Sequence, residues 1–231
     1  MHNLDLYAKV EDLLGIDEAS VDLQNHYLDT LKNLSFDSLL DVGCGKGAFL
    51  ERIQKEFQTQ KLLGVDLSPL MVEATRHRGI EVQNIDICHL EGSFEVITAM
   101  FDTLNYLDKH QLKRFLGCVE RLLTPNGLFL FDINTLAGFE NVAVGSYIVD
   151  DQTRFLTIDS DFKEGVYDSE FTLFSLQNND CFTKEQATIK QYYHEIEEMC
   201  VMTSLKLIDR LDIYLYGEIQ DKTLLMFKRL F

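Results

Sequence analysis

A doubly wound α/β fold is predicted for this 231-residue chain from three observations. Short apolar runs alternate with amphipathic helical segments over residues 36–134, the pattern of strands linked by crossover helices. A turn with glycines at alternate positions, Gly43, Gly45 and Gly47, closes the first of these strands and opens a helix. Past residue 145 the period shortens to near alternation between turn residues, which predicts a small antiparallel insertion.

The elements follow in order. Apolar spacing at Leu4, Tyr7, Ala8 and Val10, then at Val21, Leu28 and Leu31, predicts helices over 3–14 and 17–33, with Asp17 capping the second. A strand over 36–42 leads through the glycine turn into a helix over 48–57. A strand over 61–66 precedes a helix capped by Ser68, with Pro69 at its first position, that runs to about Arg78. Strands over 80–86 and 94–100 are joined by a link too short for a crossover helix, so that helix is a single turn or missing. A helix over 108–123 is stopped by TPNG, and a strand over 127–134 follows. LLDV (39–42) and LFLF (128–131) read as central strands buried on both faces. Three runs, TRFLTIDSD, VYDSEFTLFSLQ and CFTKEQATIKQ, are separated by the turn signals KEG and NND, a meander of about 40 residues. Helical spacing returns over 191–203, and strands over 204–214 and 222–230 finish the chain. The expected organisation is one domain over 1–231: a helical cap (1–35), a core (36–144), an inserted sheet (145–190), and a C-terminal helix with the last two strands (191–231).

Composition narrows the function. Hydrophobic residues make up 46% and the formal net charge is −17. Such a chain repels phosphate backbones and shows no Lys/Arg cluster, which disfavours nucleic acid as a partner and favours a small molecule. There is no apolar stretch of membrane-spanning length and no signal-peptide pattern at the N-terminus. The five cysteines, at 44, 88, 118, 181 and 200, form no C-x-x-C or zinc spacing. They read as free thiols in a reducing cytoplasm, and no metal site is expected.

The glycine turn carries the chemistry. In open α/β sheets the ligand lies beyond the carboxyl ends of the strands, where strand order reverses. A dinucleotide loop has G-x-G-x-x-G and holds pyrophosphate on its amides. Here the spacing is G-x-G-x-G, with Asp41 just ahead of it. A carboxylate there repels pyrophosphate and suits a cationic ligand, such as one with an ammonium group and a sulfonium. The Walker A pattern is absent.

DVGCGKG resembles the first motif of class I S-adenosylmethionine-dependent methyltransferases, and later segments match that family in order. GVDLSPLMVE, NIDICHL, FEVITAMFDTLNYL and TPNGLFLFDIN resemble the family's second, third, fourth and fifth strand ends, a likeness strong over 36–134 and weak elsewhere. It implies a Rossmann-like seven-stranded mixed sheet ordered 3-2-1-4-5-7-6 with the last strand antiparallel. It also implies S-adenosylmethionine as cofactor and S-adenosylhomocysteine as product. Asp41, Gly43, Cys44, Gly45 and Gly47 would surround the cofactor. Asp66, followed by Leu67 and Met71, would bind its ribose, and Asp86 and Ile87 its adenine. Met100 and Phe101 would flank the cofactor, in the loop beside the methyl group.

Each residue also has a plainer reading. Asp41 could cap the turn's own amides, Asp86 could be a turn former, and Cys44 a small filler. Lys46 reads as solvent-facing, and Asp132 as a tie for the loop after its strand. Asp102, Asn105 and Tyr106 lie where an acceptor should arrive, although Asn105 could cap the next helix and Tyr106 could simply pack. Similar sugar N-methyltransferases carry a general base near Tyr106, often His. A phenol, with a pKa of about 10, is a poor base, so Tyr106, the candidate catalytic residue, would orient the acceptor or stabilise a developing charge. An amine acceptor needs little acid–base help, because alignment supplies much of the rate. Tyr7, Tyr192, Tyr193 and His194 are candidates for the acceptor pocket, with core or surface as the alternative.

The N/D-P-P-Y signature of base N-methylases is absent, as is a cysteine in the fourth-strand loop. The expected function is methyl transfer to N or O of a small molecule, with the inserted sheet as a lid and a monomer or homodimer as assembly. The rivals are methylation of a protein or RNA component, and a non-catalytic cofactor-binding relative.

Overall fold

The computed structural model describes residues 3–177 and 181–230. In chain order these form α1 (Asn3–Val10), α2 (Asp17–Leu31), β1 (Ser38–Val42), α3 (Ala48–Glu56), β2 (Lys61–Asp66), α4 (Pro69–His77), β3 (Val82–Asn84), β4 (Phe94–Ala99), α5 (Lys109–Leu122) and β5 (Leu123–Asn134). A short α6 (Leu136–Gly138) leads to β6 (Gly145–Asp150), β7 (Arg154–Lys163), β8 (Val166–Leu176) and β9 (Phe182–Tyr192). The chain returns through α7 (Ile196–Met202), β10 (Lys206–Ile213) and β11 (Lys222–Lys228).

Seven strands make one mixed sheet, ordered β3-β2-β1-β4-β5-β11-β10. The neighbours from β3 to β5 run parallel, and β11 runs antiparallel to both β5 and β10. This is the sheet that the sequence resemblance implied. β1 shows why its sequence is a continuous apolar run. Leu39 packs with Leu28, Phe49 and Ile53 on one face, while Leu40 packs with Leu116, Val119 and Phe129 on the other. A strand covered by helices on both faces has no solvent side for polar residues.

The insertion is a separate four-stranded sheet, β6-β7-β8-β9, all antiparallel. The turn between β7 and β8 matches the KEG signal: Glu164 and Gly165 lie at φ 54° and 79°, the two left-handed residues of a tight hairpin. The NND turn lies outside the described residues. The apolar face of this sheet, with Leu156, Ile158, Phe171, Leu173 and Ile189, packs on Leu6 and Val10 of α1.

Several boundaries differ from expectation. The insertion has four strands, because GSYIVD, mostly exposed, adds an edge strand that its weak alternation did not reveal. Residues 191–192 extend β9 rather than starting a helix, since their backbones pair with Val166 and Tyr167. Asp17 lies inside the first turn of α2, behind Ile16, and makes no side-chain cap. TPNG belongs to β5, with Asn126 at φ 64° turning the chain back to its register. The link before β4 is a single 3₁₀ turn, Ile87–His89. Among the described residues, no helix is long and apolar enough to cross a membrane.

Candidate functional site

The carboxyl ends of β1, β2 and β4 open on a cavity of about 390 Å³, closed on the far side by α1 and the start of α2. The glycine turn forms one wall. Gly43 and Cys44 both donate their amides to the Val65 carbonyl, at 2.8 and 3.1 Å, which folds the turn over the end of β2. Gly43 adopts φ +70°, and a Cβ there would lie 2.8 Å from the Thr103 hydroxyl. Gly47 adopts φ +77° against Thr75, where a Cβ would come within 2.7 Å. Only glycine fits such positions without strain. Gly43, Cys44 and Gly45 border the cavity; Gly47 does not, because it is spent starting α3. Cys44 is buried and fills space beneath Gly64, and burial drives its thiol pKa far up, so it is no nucleophile.

Three carboxylates line the cavity from successive strand ends. Asp41, 2% exposed, accepts from the Thr98 hydroxyl at 2.7 Å, its register partner on β4. Burial pushes its carboxyl up to about 7, against the pull of that hydrogen bond and with the charge of Asp66 adding to the rise. Asp41 therefore does not cap the turn's amides; Asp66 does so instead. Asp66 accepts from the amides of Gly45 at 2.9 Å and Ser68 at 2.8 Å, bracing the turn and the start of α4. Asp86 accepts from the Cys88 amide at 2.8 Å and pairs with Arg114 at 3.1 Å, so it is a turn former that also borders the cavity. Leu67, Met71 and Ile87 supply apolar wall between these acids. Lys46 also lines the cavity, half-buried and paired with Glu11 at 2.8 Å.

The loop after β4 is held from behind. Phe101 and Asp102 adopt left-handed backbone, φ 60° and 53°, a conformation unfavourable for bulky residues. The fully buried Asp132 on β5 fixes it: its two oxygens accept from the Phe101 amide at 2.7 Å and the Asp102 amide at 2.8 Å. The Tyr27 hydroxyl donates to the same carboxylate at 2.8 Å. Asp132 thus ties the loop after β4, not the one after its own strand. Met100 and Phe101 are thereby set against the cavity.

Five expected acceptor residues are not brought there. Asp102 turns inward, to Lys222 at 2.6 Å, whose cation offsets its buried charge, and to the Gln191 side chain, which donates a hydrogen bond to it. Asn105, fully buried, donates to the Tyr192 carbonyl and accepts from the Asn134 amide, at 2.8 and 3.0 Å, and caps no helix; Asp108 caps α5. Tyr192 contributes that carbonyl at the end of β9, away from the cavity. His194 is buried, donates to the Leu107 carbonyl at 3.0 Å, and is kept neutral by burial, which lowers its pKa. Tyr193 is likewise absent from the lining.

Tyr7 and Tyr106 do face the cavity. Burial drives both phenols far above their ordinary range, with Asp102 adding to the rise at Tyr106. Both remain protonated donors. Among the described residues, none of the inserted sheet lines the cavity; the sheet packs against α1, which does. Lys9 pairs with Glu185 at 2.6 Å, and Arg154 pairs with Asp12 at 2.6 Å.

Sequence reasoning missed Lys222, Gln191 and Glu11. For Lys222 a signal existed: a lysine opening the apolar run KTLLMFK, whose strand is central and buried. Gln191 and Glu11 are placed only by packing. Cys88 and Cys118 are joined by a disulfide, not free, because α5 lays Cys118 over the 87–89 turn. Among the described residues no cluster suits a metal ion.

Comparison with known proteins gives consistent likenesses. A methyltransferase domain model matches residues 39–127. A dTDP-4-amino-2,3,4,6-tetradeoxy-D-glucose N,N-dimethyltransferase from Saccharopolyspora spinosa is 28% identical over 82% of this chain and 86% of that protein. Matches to proteins of Geobacillus sp. (strain WCH70) and Rickettsia prowazekii, 32% and 27% identical, span 45% and 44% of those relatives, less than half their length. Among solved structures, an S-adenosylmethionine-dependent methyltransferase from Clostridium acetobutylicum superposes with a TM-score of 0.78 at 22% identity, covering 97% of this chain and 98% of that one. CalS10, an amino pentose methyltransferase from Micromonospora echinaspora, gives 0.71 at 20% identity, covering 97% and 96%. Residues 39–127 thus match a methyltransferase domain, and the chain shares the fold of the S-adenosylmethionine-dependent methyltransferase from Clostridium acetobutylicum.

Proposed function

We propose that this chain transfers a methyl group from S-adenosylmethionine to nitrogen of a small-molecule acceptor. One observation carries the reading: Asp41, Asp66 and Asp86, from three successive strand ends, line a single cavity beside the glycine turn. That donor set fits the cofactor. Asp41 and the turn would hold its cationic amino-acid end, Asp66 the ribose hydroxyls, and Asp86 with Ile87 the adenine. When bound, the cofactor supplies a methyl on a positively charged sulfur, so the acceptor's lone pair forms the new bond as the carbon–sulfur pair goes to sulfur and an amine releases one proton.

The protein's own part is alignment. Phe101 and Met100, braced through Asp132, would border the reacting carbon, and Tyr7 and Tyr106 would donate to acceptor oxygens or nitrogen. A base is not required of Tyr106, whose phenol stays protonated. The amino-sugar methyltransferases among the relatives favour nitrogen over oxygen. The inserted sheet acts as a lid that sets the acceptor pocket by positioning α1.

Calorimetry with S-adenosylmethionine and S-adenosylhomocysteine tests the cofactor reading; absence of binding of both at about 1 mM would sink it, since that corresponds to only about −4 kcal/mol. A metabolite screen with labelled cofactor then reads out which compound gains the methyl.

A further inference from the structure

We infer that the acceptor is an amine carrying no phosphate group, arriving as an ammonium cation that gives one proton to solvent before its lone pair attacks the methyl. The inference rests on the methyl-transfer reading and names the class of compound that the cavity takes.

Positive charge around the cavity is already spent. Among the described residues lining it, the only Lys or Arg are Lys46 and Arg114. Lys46 lies 2.8 Å from Glu11 and Arg114 lies 3.1 Å from Asp86. The cations that tie α1 and its following turn to the inserted sheet are spent in the same way. Lys9 pairs with Glu185, and Arg154 with both Asp12 and Asp151, at 2.6 to 2.7 Å. Behind the loop, Lys222 is committed to Asp102 and Asp132. A diphosphate reaching this site would have to displace a carboxylate from each cation it used.

The helix that begins at the cavity is closed to anions as well. A helix N-terminus ordinarily attracts phosphate through its free amides and dipole. The first turn of α2, which borders the cavity, holds Asp17 and Glu18, so its positive end is neutralised by its own sequence.

What remains suits a cation with hydroxyl groups. Glu11 and Asp17 put carboxylates at the α1–α2 end of the cavity, with the hydroxyls of Tyr7, Tyr106 and Ser20 and the amide of Gln24 between them. Among the described residues that line the cavity, five carboxylates (Glu11, Asp17, Asp41, Asp66 and Asp86) outnumber the two cations, and a cleft with such an excess of one sign raises the local concentration of the opposite ion. An aliphatic amine in neutral water is that ion. On a chain of net charge −17 the long-range field has the same sign as the local one.

The test uses thymidine diphosphate as the anionic probe, titrated into the full chain with and without saturating S-adenosylhomocysteine. No heat is expected up to about 1 mM, the level of the weakest specific complexes. Glu11→Gln frees Lys46, and this variant should gain affinity for thymidine diphosphate by about 10-fold or more, as a released charge-assisted contact does. In a labelled-cofactor assay with paired amino sugars, the free sugar should accept the methyl and its nucleoside diphosphate form should not. Binding of thymidine diphosphate to the wild-type chain at about 100 µM or below overturns the inference, as does methylation of the phosphorylated member. So does a Glu11→Gln variant that gains nothing. If S-adenosylhomocysteine itself fails to bind, the methyl-transfer reading falls first, and that outcome is distinct from all three.

Discussion

The ammonium of Lys222, at the start of β11, lies 2.6 Å from the Asp102 carboxylate in the loop after β4. It also lies 3.4 Å from Asp132 and donates to the Asn134 side chain at 2.6 Å. Burial disfavours its charge, but the two carboxylates outweigh that and hold its pKa above the ordinary value. One cation thus joins the last strand, β5 and the loop that borders the cavity, 120 residues apart in sequence. Lys222→Met leaves two buried carboxylates uncompensated. It should cost about 3–5 kcal/mol in urea unfolding, the usual result of breaking a buried pair from one side. Adding Asp102→Asn to that variant should recover part of the loss.

Asp132 accepts from two adjacent left-handed residues at once. Asn at this position keeps one acceptor oxygen and turns an NH₂ toward the other amide. Asp132→Asn should therefore destabilise the fold by about 1–3 kcal/mol, the cost of one buried unsatisfied donor. Because Met100 and Phe101 border the cavity, S-adenosylhomocysteine affinity should fall as well. Denaturation and calorimetry on the same preparation check both effects.

Asp66 is assigned both to the turn amides and to the proposed ribose contacts. Asp66→Ala should weaken S-adenosylhomocysteine binding by about 10- to 100-fold, equivalent to one or two lost charged hydrogen bonds. An unchanged affinity in calorimetry would mean that the ribose lies elsewhere.

Asp41 gives a pH signature. Its carboxyl sits at about 7 in the fold, against 3.8 for the free group. The folded state therefore holds this proton more tightly than the unfolded chain. From this residue alone, stability should fall as pH rises from about 4 to 7 and level off above. A cationic ligand favours the ionised form, so binding at pH 7 should release up to about half a proton, and affinity should rise from about pH 6 to 8. Calorimetry in buffers of different ionisation enthalpy measures the release. Asp41→Asn should abolish it.

The core was legible because its signals are local. β2 was delimited to the residue, and the Ser68 cap with Pro69 behind it starts α4 as expected. The glycine turn and the acids at 41, 66 and 86 stand at strand ends, and strand ends in a doubly wound sheet face one crevice. The acceptor side was less legible. Tyr192 and His194 looked like pocket residues from their place at the insertion boundary, yet one ends a strand and the other is buried against Leu107. Cys88 and Cys118 stand 30 residues apart in no recognisable pattern, and only the crossing of α5 over the 87–89 turn brings them together.

The sequence by itself determined the order of strands and helices, the glycine turn and the three carboxylates that follow the strands. These depend on period, caps and backbone freedom, which act over a few residues. Only the tertiary structure decided how charge is shared. Lys222 meets Asp102, Lys46 meets Glu11, and α1, not the inserted sheet, closes the cavity. A buried charge must find its partner through space, and the chain brings that partner from whichever element packing lays beside it.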